Sequence, residues 1–245
     1  MPSINHLRIK LFADGADLGS IMSLYRDPRI KGFTTNPTLM RKAGILDYEA
    51  FARSLVRMIP DRPISFEVFA NDEDGMEAQA RTIASWGPQV NVKIPVTDQE
   101  GVFMGPLIQR LSRAGVRLNV TAILTLDQVE RVTDALHHAT PAIVSVFAGR
   151  IADTGVDPEP IIKSARQILC ARPRAELLWA SPRELLNIFQ AESAGCHIIT
   201  VPPEILNKLG LVGKDLTDYS LETVTTFYRD AHAAAYRIAT GLLCS

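Results

Sequence analysis

Val90-Asn91-Val92-Lys93-Ile94-Pro95 is the segment on which the reading of the chain turns. Val90, Val92 and Ile94 are β-branched and apolar, and Pro95 closes the run, so the pattern predicts a short buried strand. Lys93 sits inside it. Burial disfavours the charged form of an amine, and a neutral amine is a nucleophile able to form a Schiff base with a carbonyl. The competing reading is a strand-end lysine whose stem lies on apolar surface while its head reaches water.

Outward from this strand the pattern repeats. Strand-like runs fall at 7–13, 30–34, 64–69, 118–121, 142–147, 176–180 and 197–201. Amphipathic stretches fall at 72–86, 98–114, 126–138, 157–169 and 182–194. Asp157 followed by Pro158 fits a helix start, and Gly87, Gly115 and Gly195 stand where helices are expected to end. Eight strands, each followed by a helix, predict an α/β chain: one (β/α)8 TIM barrel domain over 1–245. A longer helix at 221–240 belongs to a C-terminal helical extension from about 211 to 245. A doubly wound open sheet is the alternative. It usually carries a glycine-rich phosphate loop after its first strand, whereas this chain reads Ala13-Asp14-Gly15-Ala16-Asp17 there.

The 245 residues are 47% hydrophobic with formal net charge -1. That composition suits a large core. It offers no electrostatic argument for a nucleic-acid or membrane partner. No apolar run is long enough to span a bilayer, and Met1-Pro2-Ser3-Ile4-Asn5-His6 does not begin a signal peptide. Cys170, Cys196 and Cys244 match neither a disulfide framework nor a zinc pattern, so a cytoplasmic setting is expected. The five histidines are scattered, and no metal site is readable.

In a barrel, chemistry sits at the C-terminal ends of the strands. Those ends carry Asp14, Asn36, Glu67, Lys93, Asn119 with Thr121, Ser145 with Phe147, Arg150, and Ser181 with Arg183. Each has a plainer reading. Asp14 can cap the helix that begins near Asp17. Asn36 before Pro37 is a common turn element. Glu67 can face solvent from an alternating strand, Thr121 is a good strand former, and most arginines are surface charges. Together, on consecutive strands, they supply a nucleophile, acid–base carboxylates and an anion-binding pair.

These residues also carry a resemblance. Leu11-Phe12-Ala13-Asp14, Gly32-Phe33-Thr34-Thr35-Asn36-Pro37, Val90 to Pro95, Asn119-Val120-Thr121, Ser145-Val146-Phe147-Ala148-Gly149-Arg150 and Ala194-Gly195-Cys196 run in the order found in the short transaldolases and fructose-6-phosphate aldolase-like enzymes, and the chain resembles that group. The resemblance implies a (β/α)8 barrel with the Schiff-base lysine on strand four, and no cofactor or metal. It implies that Lys93 attacks C2 of a ketose phosphate and Asp14 takes the C4 hydroxyl proton. Glu67 and Thr121 would hold a proton-shuttling water, and Asn36 and Asn119 the donor hydroxyls. Ser145 would shape the pocket, and Arg150, Ser181 and Arg183 would bind the phosphate. It also implies a homo-oligomer, pentamer or decamer.

Within that group the aldolases, which release dihydroxyacetone, tend to carry glutamine where this chain has Glu67 and tyrosine where it has Phe147. The resemblance therefore implies a transaldolase using fructose 6-phosphate or sedoheptulose 7-phosphate in the pentose phosphate pathway. The alternatives are a fructose-6-phosphate aldolase-type lyase and a non-catalytic sugar-phosphate-binding barrel. A deoxyribose-phosphate aldolase would call for a second lysine near the reactive one. Two departures stand out: proline at 182, inside the serine–aromatic–arginine segment, and an unmatched stretch after about Leu211.

Overall fold

The computed structural model describes residues 4–239. The strands are β1 (Lys10–Asp14), β2 (Ile30–Thr34), β3 (Ile64–Glu67), β4 (Val90–Pro95), β5 (Leu118–Ile123), β6 (Ala142–Val146), β7 (Ala175–Trp179) and β8 (Ile198–Val201). All neighbours pair in parallel, and β8 pairs with β1 to close the barrel. The helices are α1 (Leu18–Tyr25), α2 (Pro37–Lys42), α3 (Tyr48–Met58), α4 (Glu73–Ala84), α5 (Gly105–Arg113), α6 (Leu126–Ala135), α7 (Ala148–Ala152), α8 (Glu159–Ile168), α9 (Leu186–Ser193), α10 (Pro203–Leu206) and α11 (Leu216–Ala233). The fold is the expected (β/α)8 barrel with a C-terminal helix.

Because helices cover the outside of the barrel, both faces of each strand are buried, and the two faces carry different chemistry. Val90, Val92 and Ile94 of β4 join the large apolar layer under the helices. Asn91 and Lys93, which alternate with them, are 2% and 8% exposed and belong to the interior. The same division runs around the barrel. Phe12, Ile143, Leu178, Ala180 and Ile198 form a separate apolar cluster in the interior, while Ser65, Asn119, Ser145 and Thr200 are buried polar residues.

Phe12 dictates a glycine opposite. A Cβ on Gly32 would stand 2.6 Å from the Phe12 ring. Gly32→Ala is therefore expected to cost about 1–3 kcal/mol by overpacking, read as a lower urea midpoint. An unchanged midpoint would mean that the Phe12 ring moves aside freely.

Several boundaries differ from the sequence reading, each for a local reason. Residues 4–6 form a 3-10 turn, so β1 starts at Lys10 and reaches Asp14. The stretch 98–104 is not helical. The Asp98 carboxylate accepts from Glu100 N and Val102 N, and Thr97 pairs with Phe103, so a tight loop precedes α5. Gly115 and Gly195 take φ 83° at helix ends, whereas Gly87 is not among the left-handed glycines. Asp157 does accept from Glu159 N at 3.0 Å at the start of α8.

Helix α11 begins at Leu216, capped by Asp215 accepting from Thr217 N and Asp218 N, and none of its residues is buried. Leu221, Val224, Phe227 and Tyr228 are each at least 60% exposed. No helix among the described residues is long and apolar enough to cross a membrane. Cys170 and Cys196 are free thiols; burial pushes Cys196 up to about 12. Cys244, and the extension beyond residue 239, lie outside the described residues.

Candidate active site

Lys93 Nζ donates to Glu67 Oε2 at 2.9 Å and to the Thr35 carbonyl at 3.0 Å. The first contact follows from register, since Glu67 on β3 is paired directly with Lys93 on β4. Glu67 thus faces the barrel interior. Its backbone is gripped by Tyr48, whose hydroxyl donates to the Glu67 carbonyl and accepts from Glu67 N, both at 2.8 Å. Nothing in the sequence pattern singled out Tyr48, because its contribution is a hydroxyl brought from α3 to a strand end.

Asp14 closes β1 and lines the same cavity as the lysine. Asp14 is half-buried, and desolvation pushes its carboxyl above the usual 3.8, against the opposing pull of Lys93 and a hydrogen bond from Thr34. Thr34 Oγ1 donates to Asp14 Oδ1 at 2.7 Å and also meets Thr200 Oγ1. Thr34 and Thr200 were not singled out, since threonine in a strand carries no distinctive signal. Asp14 does not cap α1; Asp17 does, accepting from Ser20 N.

Asn119 is paired with Lys93 across β4 and β5. Ser145 Oγ donates to Asn119 Oδ1 at 2.6 Å, and Asn119 Nδ2 donates to Ser65 Oγ at 3.1 Å. Thr121 Oγ1, two residues on, is buried with no partner among the described residues. The next residue, Ala122, has φ 62° and breaks the β5–β6 register; such strain gathers at functional sites. Asn36 does two things: its Oδ1 accepts from Leu39 N at 2.9 Å as the cap of α2, and the residue lines the cavity. Its side-chain N–H groups have no partner among the described residues.

The cavity at this mouth measures about 130 Å³ and is lined by Asp14, Asn36, Lys93, Asn119, Thr121, Ser145, Phe147, Arg150 and Ser181. A neighbouring hollow of about 310 Å³ shares Asp14. The Arg150 guanidinium lies 5.5 Å from the Phe147 ring centre. Ser181 adopts φ 62°; its carbonyl lies so close to Gly149 that an added Cβ would stand 1.5 Å from it. Glycine at 149 is thus required by this crossing.

Arg183 is not brought to the cavity. After Ser181 turns and Pro182 removes an N–H donor, α9 does not begin until Leu186, so Arg183 falls in a connector rather than at a helix start. Asn187 Oδ1 accepts from Arg183 N and Glu184 N, and the guanidinium pairs with Asp153, its Nε at 2.8 Å.

A buried lysine flanked by two carboxylates, with hydroxyl and amide groups on consecutive strand ends, gives this barrel the layout of an enzyme built at the C-terminal rim. The chain belongs to the transaldolase/fructose-6-phosphate aldolase family, whose description matches residues 11–238. A probable transaldolase of Dehalococcoides mccartyi is 36% identical over 82% of this chain and 90% of its own length. A probable transaldolase of Clostridium acetobutylicum is 34% identical over 91% of this chain and 99% of its own. Among solved structures, the 3-hexulose-6-phosphate synthase of Salmonella typhimurium aligns with TM-score 0.56 at 15% identity, over 81% of this chain and 91% of that one. The dihydrodipicolinate synthase of Rhodopseudomonas palustris aligns with TM-score 0.57 at 14% identity, over 94% and 81%. At such identities the likeness concerns the fold alone.

Proposed function

We propose that this protein is a transaldolase that moves a dihydroxyacetone unit from a ketose phosphate, fructose 6-phosphate or sedoheptulose 7-phosphate, to an aldose phosphate through an imine on Lys93. The observation that carries the reading is the buried Lys93 amine, 2.9 Å from one carboxylate and sharing a cavity with a second, Asp14.

The neutral amine adds to C2, and the carbinolamine loses water to give the imine. Glu67 is placed to take the proton that the ammonium must lose, and with Thr121 to pass protons to the departing hydroxyl. Asp14 then takes the C4 hydroxyl proton. The C3–C4 bond breaks, its electron pair moves to the imine nitrogen, and the first aldose phosphate leaves. In the forward transfer the enamine carbon attacks the acceptor carbonyl, Asp14 returns a proton to the new hydroxyl, and water hydrolyses the imine. Asn36 and Asn119 hold the donor hydroxyls, and Ser145 fixes the Asn119 amide. Arg150 and Ser181 meet the phosphate first, since a guanidinium fork suits that dianion. Arg183 joins them only by exchanging Asp153 for phosphate.

Turnover of fructose 6-phosphate measured with and without erythrose 4-phosphate tests the transfer. Equal rates would replace the transferase by the aldolase. Borohydride trapping separates both from a binding barrel: measurable binding with no mass increase on Lys93 would leave only the latter. Phe147 bears on the same choice, because phenylalanine offers no hydroxyl to position water for release. Phe147→Tyr is expected to raise dihydroxyacetone release severalfold, a barrier lower by about 1 kcal/mol; unchanged release would remove Phe147 from this role. The exposed apolar side chains of α11 suit a homo-oligomer; the resemblance implies a pentamer or decamer, and the proposed setting is the cytoplasm.

A further inference from the structure

The strand that carries Lys93 toward one mouth of the barrel carries Asn91 toward the other. The two are alternate residues on the same face, roughly 7 Å apart along β4. At the N-terminal mouth, Asn91 lines a cavity of about 310 Å³ together with Lys10, Lys31, Arg117, Arg174 and Glu176. Four cationic side chains thus face one carboxylate, and that carboxylate is already held by Lys10 at 2.7 Å. Lys31, Arg117 and Arg174 have no carboxylate partner among the described residues.

Two further observations point inward to a ligand. Asn91 is 2% exposed, and its Nδ2 is buried with no partner among the described residues. The same holds for Arg117 Nε, although another nitrogen of that guanidinium donates to the Pro88 carbonyl at 3.2 Å. Buried donors are normally paired. Asn91 and Arg117 both line this cationic cavity, and each keeps a buried donor without a partner among the described residues, which suits an acceptor that brings negative charge. Phe12 and Ile143 form the inner wall of this cavity and belong to the interior apolar cluster with Leu178 and Ala180, which line the lysine cavity. The two cavities are therefore separated by packed side chains.

We propose that the N-terminal mouth is a second anion site, taking a phosphate group, free or on a small metabolite, between Asn91, Arg117 and Arg174. A tetrahedral dianion has enough acceptor lone pairs for two guanidinium groups and an amide, and its charge is matched by the cations that have no carboxylate partner among the described residues. The volume leaves room for a few atoms beyond the phosphate. The site does not depend on the chemistry assigned to Lys93.

The test is titration of the full chain with inorganic phosphate at low salt, followed by calorimetry and thermal shift, with chloride at equal ionic strength as control. Binding is expected, and it persists in Arg150→Ala, which strips the other mouth of its nearest guanidinium. It weakens about tenfold or more in Arg174→Glu, the loss expected for one charge-assisted contact, while the borohydride adduct on Lys93 forms at the wild-type level. Arg174 is exposed, so this variant folds; Arg117→Gln, which gives up the bond to Pro88, is the second variant and should show a similar loss. The proposal is overturned by phosphate binding no better than chloride, by affinity unchanged in both variants, or by binding that vanishes in Arg150→Ala.

Discussion

Lys93→Met is expected to reduce ketose-phosphate turnover by at least about a thousandfold, roughly 4 kcal/mol of barrier, and to abolish the borohydride-trapped adduct. Among the described residues that line the cavity, Lys93 alone carries an amine that can form an imine, so no neighbouring side chain replaces it. Part of the effect must be separated from folding. Lys93 and Glu67 form a pair whose side chains are 9% and 20% exposed. Removing one partner of a fully buried pair costs about 3–5 kcal/mol, and the partial exposure of Glu67 brings the cost below that range. Lys93→Arg keeps a cation beside Glu67 but offers no nucleophilic amine. The two variants should therefore be equally inactive and unequally stable. Turnover retained by Lys93→Arg would remove the imine from the mechanism.

Asp14→Asn should slow turnover by about 10²–10⁴, the range for loss of a general acid–base, while leaving the adduct on Lys93 intact, because in the proposed mechanism Asp14 acts after imine formation. The same substitution should change stability in the opposite sense. Burial raises the Asp14 carboxyl above 3.8, so the folded state binds this proton more tightly than the unfolded chain does. The stability contributed by that proton is present below about 3.8 and is lost as pH rises through the elevated folded value. Asparagine does not ionise and keeps an oxygen to accept from Thr34. The melting temperature of Asp14→Asn should therefore equal or exceed that of the wild type at neutral pH, with the gap opening as pH rises from the acid side. A less stable variant at neutral pH would mean that the ionised carboxylate is held favourably. In the wild type, cleavage should fall off on acidification at a higher pH than an ordinary aspartate would give.

The barrel was legible because its strands are buried on both faces, which concentrates valine and isoleucine into short runs with few competitors. The helix boundaries were less legible where one side chain redirects the backbone: Asp98 folds 98–104 into a loop, and the left-handed Ser181 delays α9. Lys93 and Glu67 stood out because charge inside an apolar run needs an explanation. Thr34, Ser65 and Thr200 did not, since small hydroxyl residues suit strands whether or not they line a cavity. Tyr48 reaches the site only through the packing of α3. Arg183 illustrates the opposite failure: its place in the chain suggested the rim, but its partner was settled by Asp153, thirty residues earlier, which no local pattern reveals. The cations of the N-terminal mouth read as ordinary surface charge because they lie just before or at the start of separate strands.

The packed interior around Phe12 has a consequence for traffic. The apolar cluster at the barrel's waist closes the route to the lysine from the N-terminal mouth and leaves the C-terminal one. In the proposed transfer, the aldose phosphate released by cleavage leaves through the opening by which the acceptor arrives, and the enamine waits behind it. For that reaction the expected order of events is a strict exchange, first product out before second substrate in. The first product should accordingly compete with the acceptor, and each should protect the intermediate from water while it occupies the doorway.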